Sequence, residues 1–145
     1  MFQDELKVTG DVAITLYNKD GSVKDQREIK NLVVTVGKQF IAARMVGTPG
    51  EMSHMAVGAG SIAAAAANTA LGQELGRVAL SSDSSSGVVV TYVASFPPGT
   101  GTGAVTEAGV FSAAAAGTML CRTVFAVVNK GADDAMSITW QITVS

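Results

Sequence analysis

Met136-Ser-Ile-Thr-Trp-Gln-Ile-Thr-Val144 alternates without a break: Met136, Ile138, Trp140, Ile142 and Val144 take one side, Ser137, Thr139, Gln141 and Thr143 the other. A period of two marks a half-buried β-strand. The reverse side carries hydroxyls and amides instead of Lys and Glu, a surface better suited to packing against protein than to free diffusion. The scarcity of charge extends upstream. From Val88 to Ser145 the charged residues are Glu107, Arg122, Lys130, Asp133 and Asp134 alone.

The same period recurs elsewhere. Val12, Ile14 and Leu16 alternate with Ala13, Thr15 and Tyr17, and Asn18-Lys-Asp-Gly21 supplies a turn, so a β-hairpin is predicted. Its return arm, Val23 to Val34, is polar until Leu32-Val33-Val34, with Lys24, Arg27 and Lys30 placed to discourage edge pairing. Further strands are expected over Ser53 to Gly58, Leu75 to Ser82, Val88 to Phe96, Val105 to Ser112 and Thr118 to Asn129. In the Val88 to Phe96 strand, Val88, Val90, Tyr92, Ala94 and Phe96 form one face. Asp83-Ser-Ser-Ser-Gly87 reads as a hairpin loop, and Pro97-Pro-Gly-Thr-Gly-Thr-Gly103 as an exposed irregular one.

Two segments depart from this pattern. Over residues 35–46 the period becomes helical, with Val36, Phe40, Ala43 and either Ile41 or Arg44 on one stripe and Thr35 placed to cap. Ala59 to Leu71 is Ala-rich but short and flanked by Gly, and reads as a loop with at most one helical turn. About eight strands and one helix predict a mostly β fold: an antiparallel two-sheet β-sandwich, jelly-roll-like, with an immunoglobulin-like sandwich as the alternative. Residues 1–145 are expected to form one domain, with an N-terminal arm over residues 1–10.

Composition narrows the function. The charged fraction is 15% against a usual value of about 25%, with 48% hydrophobic residues and a mean hydropathy of +0.34. Missing charge on that scale points to surface buried in an oligomer or lattice. Net charge is −2, and residues 1–50 hold seven of the ten Lys and Arg, so there is no basic field and no direct nucleic-acid partner is expected. A single Cys121 rules out an internal disulfide framework and fits a reducing cytosol. Met1-Phe-Gln-Asp-Glu-Leu-Lys7 does not read as a secretory leader, and the longest apolar run, Ile62 to Ala67, is too short to cross a membrane, so no membrane partner is expected.

No chemistry stands out. His54 has no Cys or second His near it in sequence, as a metal site would need. Cys121 lacks an electropositive neighbour on its own face, since Arg122 points to the opposite one. Glu74 and Glu107 could be imagined as an acid/base pair, yet Glu74 lies near Arg77, and Glu107 has Arg77 or Arg122 as a natural partner. Gly99-Thr-Gly-Thr-Gly103 is followed by Ala104-Val-Thr, a strand and not the helix a phosphate cradle needs. Asp133 and Asp134 read as solvated turn carboxylates. Neither catalytic residue, cofactor nor metal is expected.

Several segments together resemble the small structural proteins of tailed-bacteriophage virions, of the kind that decorate or cement the capsid: Asn31 to Arg44, Met55-Ala-Val-Gly58, Ala70-Leu-Gly-Gln-Glu-Leu-Gly-Arg77, Val105-Thr-Glu-Ala-Gly-Val-Phe111 and the strands from Thr118. The Thr-Glu-Ala-Gly-Val-Phe element is also similar to segments of tail-fibre and baseplate-associated proteins. The resemblance implies a non-enzymatic β-sandwich made in the host cytoplasm and carried on the capsid surface. Its partners there would be the major capsid protein and copies of itself, as a homo-oligomer. A tail, neck or fibre component is the first alternative, a carbohydrate-binding module the second. The residues expected in contact are Phe2 and Leu6, Pro97 and Pro98 of the 97–103 loop, and Thr139 and Gln141 on the outward side of the last strand.

Overall fold

A computed structural model of the chain describes residues 6–47 and 50–145. In order, these residues form β1 (Val8–Tyr17), β2 (Val23–Lys30), β3 (Leu32–Val33), α1 (Thr35–Arg44), β4 (His54–Gly58), β5 (Glu74–Ala79), β6 (Ser82–Ser86), β7 (Val89–Phe96), β8 (Gly103–Phe111), β9 (Met119–Lys130) and β10 (Ala135–Val144). The strands make two antiparallel five-stranded sheets, ordered β2-β1-β10-β7-β6 and β3-β9-β8-β4-β5. This is the predicted β-sandwich. Its outer wraps, β1 with β10 in one sheet and β3 with β9 in the other, are those of a jelly roll. The next pair, β4 with β8, stays in the second sheet where a jelly roll would cross back.

The alternation in β10 decides how the sheets face each other. Met136, Ile138, Trp140 and Ile142 are buried, and β1 sets Leu16, Ile14, Val12 and Gly10 opposite them in turn. On the other side β7 sets Phe96 against Met136, Ala94 against Ile138 and Tyr92 against Trp140. These side chains close on Met55, Val57, Val105, Ala108, Val110, Leu120, Cys121 and Val128 of the second sheet, forming one shared core.

The ten strands exceed the predicted eight at two places. The Val23 to Val34 arm breaks at Asn31, where the chain crosses between sheets: β2 pairs with β1, while Leu32 and Val33 pair with Arg122 and Cys121. The Asn31 N–H donates to the Gly10 carbonyl at 3.1 Å, holding the crossing. The second place is Asp83-Ser-Ser-Ser86, expected as a loop and found in strand β6, which pairs with Val89 to Val93. Gly87 and Val88 form the two-residue turn between them. Gly87 has φ +57°, the left-handed conformation such hairpin turns require. Of the arm expected over residues 1–10, Val8 to Gly10 lie in β1, and Lys7 exchanges backbone hydrogen bonds with Ser145 at 2.7 and 2.8 Å.

Helix α1 ends at Arg44, before the expected Val46. Its N-cap is Val34 and not Thr35, with no side-chain cap; the Thr35 N–H donates instead to the Ala66 carbonyl at 2.8 Å. Phe40 is buried and Ile41 packs on the core, which resolves the stripe in favour of Ile41 over Arg44. Gly37 is buried too, and a Cβ there would lie 2.1 Å from the Leu120 carbonyl oxygen of β9. Gly37→Ala is therefore expected to destabilise the protein by about 1–3 kcal/mol through overpacking, although Ala favours an isolated helix by roughly 1 kcal/mol. Urea unfolding of the variant measures which term wins.

Candidate interaction surface

The register of the first sheet turns the reverse side of β10 into part of a continuous face. Row by row across the outer side run Gln26, Thr15, Ser137 and Ser95; then Glu28, Ala13, Thr139, Val93 and Ser82; then Lys30, Asp11, Gln141, Thr91 and Ser84; then Thr9, Thr143, Val89 and Ser86. Charge is confined to the β1 and β2 side, where Lys30 and Asp11 form an ion pair. Across β10, β7 and β6 the outward residues are hydroxyls and one amide, interrupted by Val89 and Val93. At about 4.8 Å between strands and about 3.4 Å per residue, the five-stranded face spans on the order of 500 Å². A standard specific contact buries about 800 Å² per partner. The face supplies most of such a contact, and flanking segments must complete it.

The expected contact residues divide between the face and its surroundings. Thr139 and Gln141 sit mid-face, lining a shallow recess of about 430 Å³ with Asp11, Ala13, Glu28 and Lys30. Leu6 lies by the start of β1 and is 74% exposed, beside a second recess with Lys38, Ile41 and Met45. Pro97 and Pro98 are exposed beyond the end of β7, the opposite end of that sheet. Phe2 lies outside the described residues. The 97–103 loop is not uniformly exposed as expected: Gly101 is buried, and the Pro97 carbonyl accepts a hydrogen bond from Lys130 Nζ at 3.0 Å. Burial pulls the Lys130 ammonium below the usual lysine value, partly offset by the charge of Asp134.

The reactive-looking groups are all engaged structurally. Glu107 and Arg122 pair at 3.0 Å on the outer side of the second sheet, both buried. Glu107 also accepts from the backbone N–H groups of Gly60 at 2.6 Å, Gly72 at 2.8 Å and Gln73 at 2.8 Å. Arg122 donates to the Ile62 carbonyl and to Asn68 Oδ1, each at 3.0 Å. The pair thus fastens the 59–73 loop over the sheet, above a small cluster of Val34, Ala56, Phe111 and Met119. Burial pushes the Glu107 carboxyl up, but the three N–H donors and the guanidinium together hold it below the ordinary glutamate value.

Arg77, the other candidate partner for Glu107, binds Glu74 at 2.7 Å, lies 3.9 Å over the Phe111 ring and donates to the Ala113 and Ala116 carbonyls. Cys121 is sealed in the core, where burial pushes its thiol up, and burial likewise pushes Tyr92 up to about 12. Asp134 accepts from Lys24 and from the Gly131 N–H, both at 2.7 Å. The ring Nδ1 of His54 lies 2.8 Å from Ser53 Oγ.

Sequence reasoning missed Gly60, Gly72 and Asn68 as partners of the buried pair. The available signal was an acid in a nearly neutral strand together with a Gly-flanked, Ala-rich loop too short to fold alone. Among the described residues, no group of three or more His, Cys, Asp or Glu side chains is arranged to hold a metal ion, and no helix is long and apolar enough to cross a membrane. No family model, curated protein or solved structure matches this chain.

Proposed function

We propose that this chain is a structural protein of a phage virion that binds the outside of the capsid and stabilises it, with the outer face of the first sheet as its contact surface. One observation carries the reading: β10, β7 and β6 align their outward residues into a continuous, largely polar face without a charged side chain. Hydroxyls and amides give up water at less cost than ammonium or carboxylate groups and form hydrogen bonds across an interface. On a symmetric shell, neighbouring copies would add avidity by raising each other's effective concentration. The segment resemblance to capsid decoration proteins supports the same assignment.

Thr139→Lys and Gln141→Lys are expected to leave folding stability within about 0.5 kcal/mol of the parent and to reduce incorporation into particles. Urea unfolding and quantitation of the protein in purified virions check the two halves. Capsids assembled without the chain should break at lower temperature or pressure. Equal resistance of the two capsids would remove the cementing role. A few copies per virion, in place of hundreds, would favour the tail or neck alternative. For a carbohydrate-binding module the structure offers little: Trp140, the residue best suited to stack on a sugar ring, is fully buried.

A further inference from the structure

We infer that two copies of this chain pair edge to edge through β6, antiparallel about a two-fold axis at Ser84, joining their first sheets into one ten-stranded sheet. The inference starts from how the strand edges are managed. An edge strand exposes unpaired N–H and C=O groups, and natural sheets guard them with charge, bulges, shortness or cover. At the β2 edge Lys24, Glu28 and Lys30 are present, and the Arg27 guanidinium reaches across to the Ala126 and Val127 carbonyls of β9, both at 3.2 Å. β3 is two residues long. β5 carries the Glu74–Arg77 ion pair.

Of these devices β6 carries a single carboxylate, Asp83. All five of its residues are exposed, its register with β7 runs without a bulge, and it contains neither Lys, Arg nor Pro. Its sequence also selects the occupant and the register. Centred on Ser84, Ser82-Asp-Ser-Ser-Ser86 pairs all five residues with a second copy, placing Asp83 opposite Ser85 of that copy and Ser82 opposite Ser86. Each carboxylate then meets a hydroxyl donor. Centred on Asp83, the two carboxylates would stand directly opposite, which is unfavourable. Centred on Ser85, Asp83 would fall outside the paired strand. The two-fold at Ser84 also makes the outer faces continuous, about doubling the low-charge surface.

The pairing does not depend on the capsid reading, and its test uses the purified chain alone. Residues directly opposite in an antiparallel pair have Cα atoms about 4.5–5.5 Å apart, within the range a disulfide bridges. Ser84→Cys is expected to give a disulfide-linked dimer on mild oxidation, while Ser86→Cys, whose opposite number is Ser82, is not. In sedimentation, Ser84→Lys should weaken self-association by roughly fivefold by setting two ammonium groups face to face. Circular dichroism of the variants establishes that each remains folded. Equal cross-linking at positions 84 and 86, no cross-linking at 84, or a parent chain that sediments as a monomer would each overturn the pairing.

Discussion

Replacing Glu107 with Ala is expected to cost about 3–5 kcal/mol of folding stability, the effect of stranding one half of a buried ion pair. The change leaves Arg122 buried without its carboxylate and removes the acceptor of three backbone N–H groups, those of Gly60, Gly72 and Gln73. Adding Arg122→Ala relieves the stranded charge, but those amides stay orphaned and the Ile62 carbonyl loses its donor, so the double variant should not regain the parent's stability. Urea unfolding of the single and double variants measures this. Amide exchange at Gly60, Gly72 and Gln73 should quicken in both.

The same group sets an acid dependence. The folded Glu107 carboxyl lies below its ordinary value, so its contribution is fully present above about pH 4.3 and is lost as pH falls through the depressed folded value. Asp134, held down by its hydrogen bond from Lys24, and Asp25, held down by that from Arg27, act in the same direction. The parent's stability should therefore fall below about pH 4, and Glu107→Ala should show a shallower fall.

Trp140→Ala is the second large effect, expected at roughly 3–5 kcal/mol. Trp140 is fully buried at the centre of the first sheet's inner face, opposite Val12 on β1 and Tyr92 on β7, so truncation opens a cavity where two strands meet the core. Its indole N–H has no hydrogen-bond partner among the described residues. Trp140→Phe thus removes volume without removing a bond, and should cost only about 1–2 kcal/mol. Equal losses for Ala and Phe would show that the site tolerates no change of shape at all. Denaturant melts of both variants separate these outcomes.

The strands that build the core were legible because burial on one face imposes a period of two. Met136 to Val144, Val12 to Leu16 and Val90 to Phe96 all carry that mark. β6 was not legible, because an exposed edge strand needs no apolar face, and Ser82 to Ser86 look like turn chemistry. Nor was the crossing at Asn31: the change from polar to apolar at Leu32 is visible in sequence, but a switch of sheets is set by pairing with Arg122 and Cys121, far along the chain. Gly37 was hidden for the same reason, since its contact is with the backbone of β9.

For the interaction surface, Thr139 and Gln141 follow from the alternation within β10. The alignment of Thr91, Ser84, Thr15 and Ser95 beside them is a property of register and needed the structure. Glu107 announced that it needed a partner, but its Gly60, Gly72 and Gln73 donors come from a loop with no periodic signal. What the alternation alone left as one polar strand side is, with register, a sheet-wide face.

An electron-microscopy reconstruction of virions carrying this chain tests the central claim most directly. The account predicts a β-sandwich on the outer surface of the shell in hundreds of copies, with the face around Thr139 and Gln141 turned against a neighbouring protein. A reconstruction with that face open to solvent in every copy, or with the chain absent from the shell, would contradict it.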